Sequence, residues 1–139
     1  MGIEFSFIVI DDSELDCFVT QKFLERTNKS LIIKTFQHAQ HALEIIQKDF
    51  NENNSVPTII FLDLQMPFMN GFKFVEEFEK FSPEIQKNYK IIILTILSSS
   101  TNPIDIHRIL TYGAVNSIVE KPLTKEKLVL LLNQVRADI

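Results

Sequence analysis

Five short apolar runs alternate with stretches of helical spacing, and this alternation leaves the chain few folds to adopt. The runs are Phe5 to Ile10, Leu31 to Phe36, Thr58 to Leu62, Lys90 to Thr95 and Val115 to Val119. Most are rich in isoleucine, valine and phenylalanine, and several are apolar on both faces. That pattern suits parallel strands covered by helices on each side. Between them, Leu15, Val19 and Phe23 recur every fourth residue, with Phe18 widening the stripe. Ala39, Ala42, Leu43, Ile46 and Phe50 follow the three-four spacing of a helix, as do Gly71, Phe74, Val75, Phe78 and Phe81. Asn102-Pro103 reads as a cap opening a helix to about Tyr112, with Gly113 placed to end it. Leu128, Leu131, Leu132 and Val135 make the last stripe. Asn51 to Pro57 and Ser82 to Asn88 read as polar loops. Serial strand-helix units predict an α/β fold with an open, doubly wound, five-stranded parallel sheet. In such sheets ligands bind beyond the carboxyl ends of the strands, where the strand order reverses.

A length of 139 residues accommodates one domain, expected over 1–139. The 18 acidic and 14 basic side chains give a net charge of −4, which argues against direct nucleic-acid binding. No apolar run approaches the roughly 18 to 20 residues that span a bilayer, and the N-terminus lacks the features of a signal peptide. One cysteine excludes an intrachain disulfide framework and a cysteine-rich zinc site. A cytoplasmic protein without a membrane partner is the expectation. Met1-Gly2 with Ser6 matches the minimal acylation pattern, but the strand beginning at Phe5 argues against it.

The strand ends carry the chemistry. The first closes in Asp11-Asp12, the third in Asp63, the fourth in Thr95 and the fifth in Glu120-Lys121-Pro122. Carboxylates brought within a few ångströms repel one another, which raises their pKa values or recruits a cation. Oxygen-only ligands suit Mg²⁺, which uses one or two carboxylates together with a phosphate and waters. A carboxylate beside such an ion can act as a nucleophile toward phosphorus, with a lysine offsetting charge on the transferring group.

The run Ile8-Val9-Ile10-Asp11-Asp12-Ser13 resembles the opening of response-regulator receiver domains, the CheY-like modules of two-component signalling. Leu62-Asp63-Leu64-Gln65-Met66-Pro67 with Asn70-Gly71 resembles their phospho-acceptor strand and loop. Ile92-Ile93-Leu94-Thr95 and Glu120-Lys121-Pro122-Leu123 resemble the third and fourth signatures. The match runs from residue 5 to about 137 and implies the flavodoxin-like (βα)5 fold with strand order 2-1-3-4-5. It also implies a role for each matching position. Asp63 takes a phosphoryl group from a sensor histidine kinase or phosphotransfer protein. Asp12 and Asp63 bind Mg²⁺, Asp11 lies nearby and acts partly through water, and the Gln65 backbone carbonyl supplies a further ligand. Thr95 and Lys121 hold the phosphoryl oxygens, and the Lys121–Pro122 bond is cis. The domain catalyses only its own phosphorylation and dephosphorylation, so it is not expected to be an enzyme otherwise. Because the chain ends after the last helical stretch, output is expected by association with a downstream protein. A second copy, through the face of the fourth helix, fifth strand and fifth helix, is the other expected route.

Two positions depart from the family pattern. Ile118 stands where an aromatic residue often couples to the threonine, and the stretch from Gly113 to Lys121 is one residue longer than is typical of the family, which implies a bulge or a shifted register. Ile96 follows Thr95 where the family prefers a small residue, and Gln65 and Leu97 shape water access by the same analogy. These departures leave open a receiver-like interaction module that is not phosphorylated. A phosphatase of the haloacid-dehalogenase type needs an acid two residues beyond its nucleophile, where this chain has Gln65. A flavin or nucleotide binder needs a phosphate-cradling loop after the first strand, where this chain has acids. Taken singly, Asp11 and Asp12 are helix-capping acids, Thr95 a strand hydroxyl and Lys121 a surface lysine. His38 and His41 read as a solvent-facing pair, Cys17 as a small buried residue, and the phenylalanines as core. It is the constellation that carries the functional reading.

Overall fold

A computed structural model describes residues 5–27, 32–51, 57–64, 70–95 and 103–137. Its elements are β1 (Ser6–Ile10), α1 (Glu14–Thr27), β2 (Ile33–Phe36), α2 (Ala39–Asn51), β3 (Thr58–Asp63) and α3 (Gly71–Phe78). These are followed by α4 (Pro83–Gln86), β4 (Tyr89–Thr95), α5 (Pro103–Leu110), β5 (Val115–Glu120) and α6 (Lys125–Ala137). All strand pairs are parallel, and the order is β2-β1-β3-β4-β5. The chain winds outward in one direction from β1 to β2, then reverses to add β3, β4 and β5. The reversal puts the switch point between the ends of β1 and β3.

Alternation along each central strand feeds two separate cores. Ile8, Ile10, Ile60, Leu62, Ile91 and Ile93 join residues of α2, α3 and α5 on one face. Phe7, Val9, Ile59, Phe61, Ile92 and Leu94 join Cys17 and Leu24 of α1 and the leucine stripe of α6 on the other. Burial on both faces explains why these strands read as continuous apolar runs. Leu128, Leu131, Leu132 and Val135 are all buried, as their spacing predicts.

Three details differ from the sequence reading. Ser82 to Asn88 contains a short helix, α4, rather than a plain loop. Ser82 caps it, Pro83 occupies its first turn, and Ile85 plugs into the core. One anchoring residue in seven is too little periodicity to detect. Helix α5 ends at Leu110, and Gly113 lies in the following turn without a positive φ, so it is not a left-handed cap. In α1, Leu15, Phe18 and Val19 of the expected stripe face solvent, Phe23 packs partly buried against the core, and Cys17 and Leu24 are the buried residues. The Asn102 cap, Leu31 and the segments around Ile96 and Leu97 lie outside the described residues.

The expected irregularity before Lys121 is present. Ile91 pairs with Val115 but Ile92 pairs with Ser117, so Asn116 is the extra residue of a bulge. Beyond it the register resumes, and Ile118 pairs with Ile93 and packs on the α2–α5 side of the sheet.

Candidate functional site

The site grows from the last residues of the strands. The Asp11 amide donates to Phe36 O at 3.0 Å, which anchors the end of β1 to β2. Asp11 is 4% exposed, and its Oδ1 accepts from the Ser13 amide at 3.0 Å. Ser13 Oγ then accepts from the Asp16 amide at 3.2 Å, so the β1–α1 turn is held by its own side chains. The Cys17 thiol sits beneath this turn and donates to Asp11 O at 3.2 Å. Burial, reinforced by the Asp11 charge, pushes that thiol up to about 11, which makes Cys17 an inert packing residue.

Asp63 closes β3 beside Leu94 of β4, and Thr95, buried, closes β4 beside Glu120. The Lys121 amide donates to Thr95 O at 2.8 Å, extending the ladder one residue beyond β5. This brings Lys121 Nζ to 3.2 Å from Asp11 Oδ2 and 3.5 Å from Asp63 Oδ1. Asp16 Oδ2 lies 3.8 Å from the same ammonium. Burial acts to lower the Lys121 pKa, but the carboxylates of Asp63 and Asp11, the Asp11 hydrogen bond and Asp16 outweigh it. The net shift is upward, and the ammonium stays charged at neutral pH. The Lys121–Pro122 peptide is cis.

Asp11, Asp12 and Asp63 each offer a carboxylate oxygen, and these oxygens lie within 4.8 Å of one another. Asp11 is buried, Asp63 half-buried and Asp12 exposed, so the cluster opens to solvent on one side. Three carboxylates against one ammonium leave a surplus of about two negative charges, which a divalent cation would neutralise. Hard oxygen donors in an open site fit Mg²⁺, which retains several waters. The structure therefore brings together Asp11, Asp12, Asp63, Thr95, Lys121 and Pro122. Ile118 lies instead in the packing on the α2–α5 side of the sheet. Gln65 lies outside the described residues.

The acceptor strand is tied to the next helix by a close approach. The Gly71 amide donates to Leu64 O at 2.8 Å, and a Cβ at position 71 would meet Leu64 Cα at 3.0 Å. Asn70 Oδ1 caps α3 by accepting from the Lys73 amide at 3.0 Å. The Asn-Gly pair thus fixes the chain's return toward Asp63.

One residue escaped the sequence reading. Asp16 faces Lys121 from the first turn of α1, where an acid reads simply as a charge that suits a helix N-terminus. Asp11, Asp16 and Lys121, together with Val19, Phe23 and Leu123, line a cavity of about 420 Å³. Among the described residues no helix is long and apolar enough to cross a membrane.

The family model for the response regulator receiver domain matches residues 7–133. A crystallised response regulator receiver protein from Dyadobacter fermentans is similar, with 27% identity and a TM-score of 0.79. That likeness covers 94% of this chain and 97% of the other. A two-component response regulator from Cytophaga hutchinsonii has the same fold, with 23% identity, a TM-score of 0.82 and coverage of 96% and 98%. A peroxide stress-activated histidine kinase of Schizosaccharomyces pombe is 25% identical over 131 residues. Those residues are 93% of this chain but span 7% of that kinase's length. With its sheet order, acid cluster and family match in agreement over most of its length, this chain belongs to the response regulator receiver domain family of two-component signalling.

Proposed function

We propose that Asp63 is the phospho-acceptor of this domain and that a histidine kinase or phosphotransfer protein is the donor. The supporting observation is the placement of Lys121 Nζ 3.5 Å from Asp63 within a carboxylate cluster able to share one cation. An Asp63 oxygen attacks phosphorus, the bond from phosphorus to the donor imidazole nitrogen breaks, and that nitrogen keeps the electron pair. Lys121 stays charged and faces the oxygens of the incoming group, while Thr95 supplies a hydroxyl from the neighbouring strand. Asp11, Asp12 and Asp63, with the Gln65 carbonyl that the family pattern adds, would hold Mg²⁺. When bound, that ion supplies positive charge against the phosphoryl oxygens.

Phosphorylation adds about −1.5 to −2 charge near pH 7 at the mouth of the sheet. The added charge draws on Thr95 and Lys121 and biases the packing of α5, β5 and α6 between two arrangements. Ile104 and Leu110 on α5, and Val129 and Leu130 on α6, are exposed apolar residues that support output through this face. The recipient is a downstream protein or a second copy, in the cytoplasm. The exposed residues Leu15, Phe18 and Val19 of α1 offer the donor protein an apolar landing surface.

Intact mass after incubation with a small-molecule phosphodonor and Mg²⁺ tests the assignment. The wild type gains one phosphoryl group, and Asp63→Ala gains none. Equal labelling of both proteins would refute Asp63 as acceptor, and no labelling of either would favour a domain that works by binding alone.

A further inference from the structure

The loop that delivers Lys121 is held from outside the site by a second lysine. Lys127 Nζ donates to Glu120 O at 2.8 Å and to Pro122 O at 3.1 Å. These are the carbonyls on either side of Lys121. Its backbone is tied to the same loop, because the Lys127 amide donates to Thr124 Oγ1 at 3.2 Å. Lys127 stands in the first turn of α6, where the exposed N–H groups of a helix disfavour a cation. Two carbonyl oxygens offset that disadvantage locally, and the side chain folds back off the helix to reach them.

The consequence is geometric. Lys121 must place its ammonium against Asp11 and Asp63 from a loop that leaves the sheet at once, with one backbone bond, to Thr95 O, fixing its amide. Fixing the carbonyls before and after it removes the freedom of the loop to swing Lys121 away from the carboxylates. We propose that Lys127 is a positioning residue for Lys121. It sets the placement of the phosphoryl-facing ammonium without touching the phosphoryl group itself. This rests on the phosphoryl-transfer reading above.

The test uses the full chain with Lys127→Met and Lys127→Arg, and with Lys125→Met as a control that removes a charge from the same exposed turn. Lys127→Met is expected to slow labelling by a small phosphodonor about three- to tenfold and to weaken beryllofluoride binding at saturating Mg²⁺ to the same extent. Mg²⁺ affinity measured without the mimic does not fall, because the Lys121 ammonium competes with the cation for Asp11 and Asp63 rather than helping to hold it. In the metal-free protein the Lys121 amide exchanges its hydrogen faster. Lys127→Arg recovers part of each effect, and Lys125→Met shows none.

Wild-type labelling with unchanged Lys127→Met overturns the positioning role alone. So does a parallel fall in Mg²⁺ affinity and melting temperature, which would mark a merely structural contact, or an equal effect of Lys125→Met, which would mark bulk charge. Failure of the wild type itself to be labelled or to bind beryllofluoride overturns the phosphoryl-transfer reading, and this one with it.

Discussion

Helices α1 and α3 both carry large apolar residues at helical spacing, and they use them in opposite ways. In α3, Gly71, Phe74, Val75 and Phe78 all point into the sheet and are buried. In α1, Leu15, Phe18 and Val19 point into solvent and are 69%, 54% and 57% exposed, although each looks as good a core residue as any in α3. The buried side of α1 is the weaker stripe of Cys17, Thr20, Gln21 and Leu24, in which Thr20 and Gln21 are half-buried. Both stripes of α1 have the spacing of a helix face, and hydrophobicity alone favours the wrong one.

The rotation of α1 is set at its first turn. Asp11 accepts from the Ser13 amide, Ser13 caps the Asp16 amide, and the Cys17 thiol reaches Asp11 O. These bonds turn position 17 toward the sheet, and every later residue follows at the helical period. The acids beside the site thus decide which face of the helix is sealed. Helix α3 has a cap of its own, Asn70 Oδ1 on the Lys73 amide, but no thiol or other side chain of its first turn reaches back to the strand end among the bonds described. Its entry is a glycine pressed on Leu64, and the phenylalanines choose the face.

The outer side of α3 is also tied down. Glu76 accepts hydrogen bonds from Tyr112 Oη and from Arg108 Nη2, and the Arg108 guanidinium lies 4.3 Å from the Phe72 ring centroid. These contacts bind α3 to α5 and to the turn that follows it. On the outer side of α1, Lys22 pairs with Glu25 and lies over Phe18, contacts that stay within the helix.

The sharpest way to break the contrast is Phe74→Ala. It opens a void in a fully buried position and should destabilise the domain by about 3–5 kcal/mol in denaturant unfolding. A loss below about 1 kcal/mol would mean that α3 is packed no better than the solvent face of α1. Next comes Gly71→Ala. The added methyl meets the Leu64 backbone and should cost about 1–3 kcal/mol, read from the same curves.

The third test addresses the outer clamp through pH. The hydrogen bond from Tyr112, then Arg108, holds the Glu76 carboxyl below its ordinary value of 4.5. A lowered carboxyl pKa stabilises the fold above the unfolded value, and this contribution is lost as the pH falls through the folded one. Wild type should therefore lose stability relative to Glu76→Gln as the pH drops below about 4.5, with the two curves parallel above it. Identical pH profiles would show that the clamp is not holding α3. The smallest effect is expected for Phe18→Ala, within about 0.5 kcal/mol of wild type, because the side chain already faces water. A loss like that of Phe74→Ala would put Phe18 in a core and undo the comparison.

The central strands were legible because a strand buried on both faces has to be apolar at every position. The acids, hydroxyl and lysine at their ends were legible because polar residues interrupt those runs abruptly. Asp63, Asp11, Asp12 and Lys121 were found in this way, and the bulge at Asn116 followed from one surplus residue before Lys121. Helix α4 was hidden because its one buried side chain, Ile85, makes no period.

From the order of residues alone came the helical periods, the parallel sheet and the polar residues that close each strand, since these depend on neighbours a few positions apart. Tertiary structure decided which stripe of α1 is buried, that Asp16 joins Asp11 and Asp63 around one ammonium, and that Lys127 grips the loop carrying it. The first and last are set by hydrogen bonds that span seven residues or fewer but leave no mark on apolar spacing, and the second joins elements far apart in the chain, as in the 110 residues separating Asp11 from Lys121.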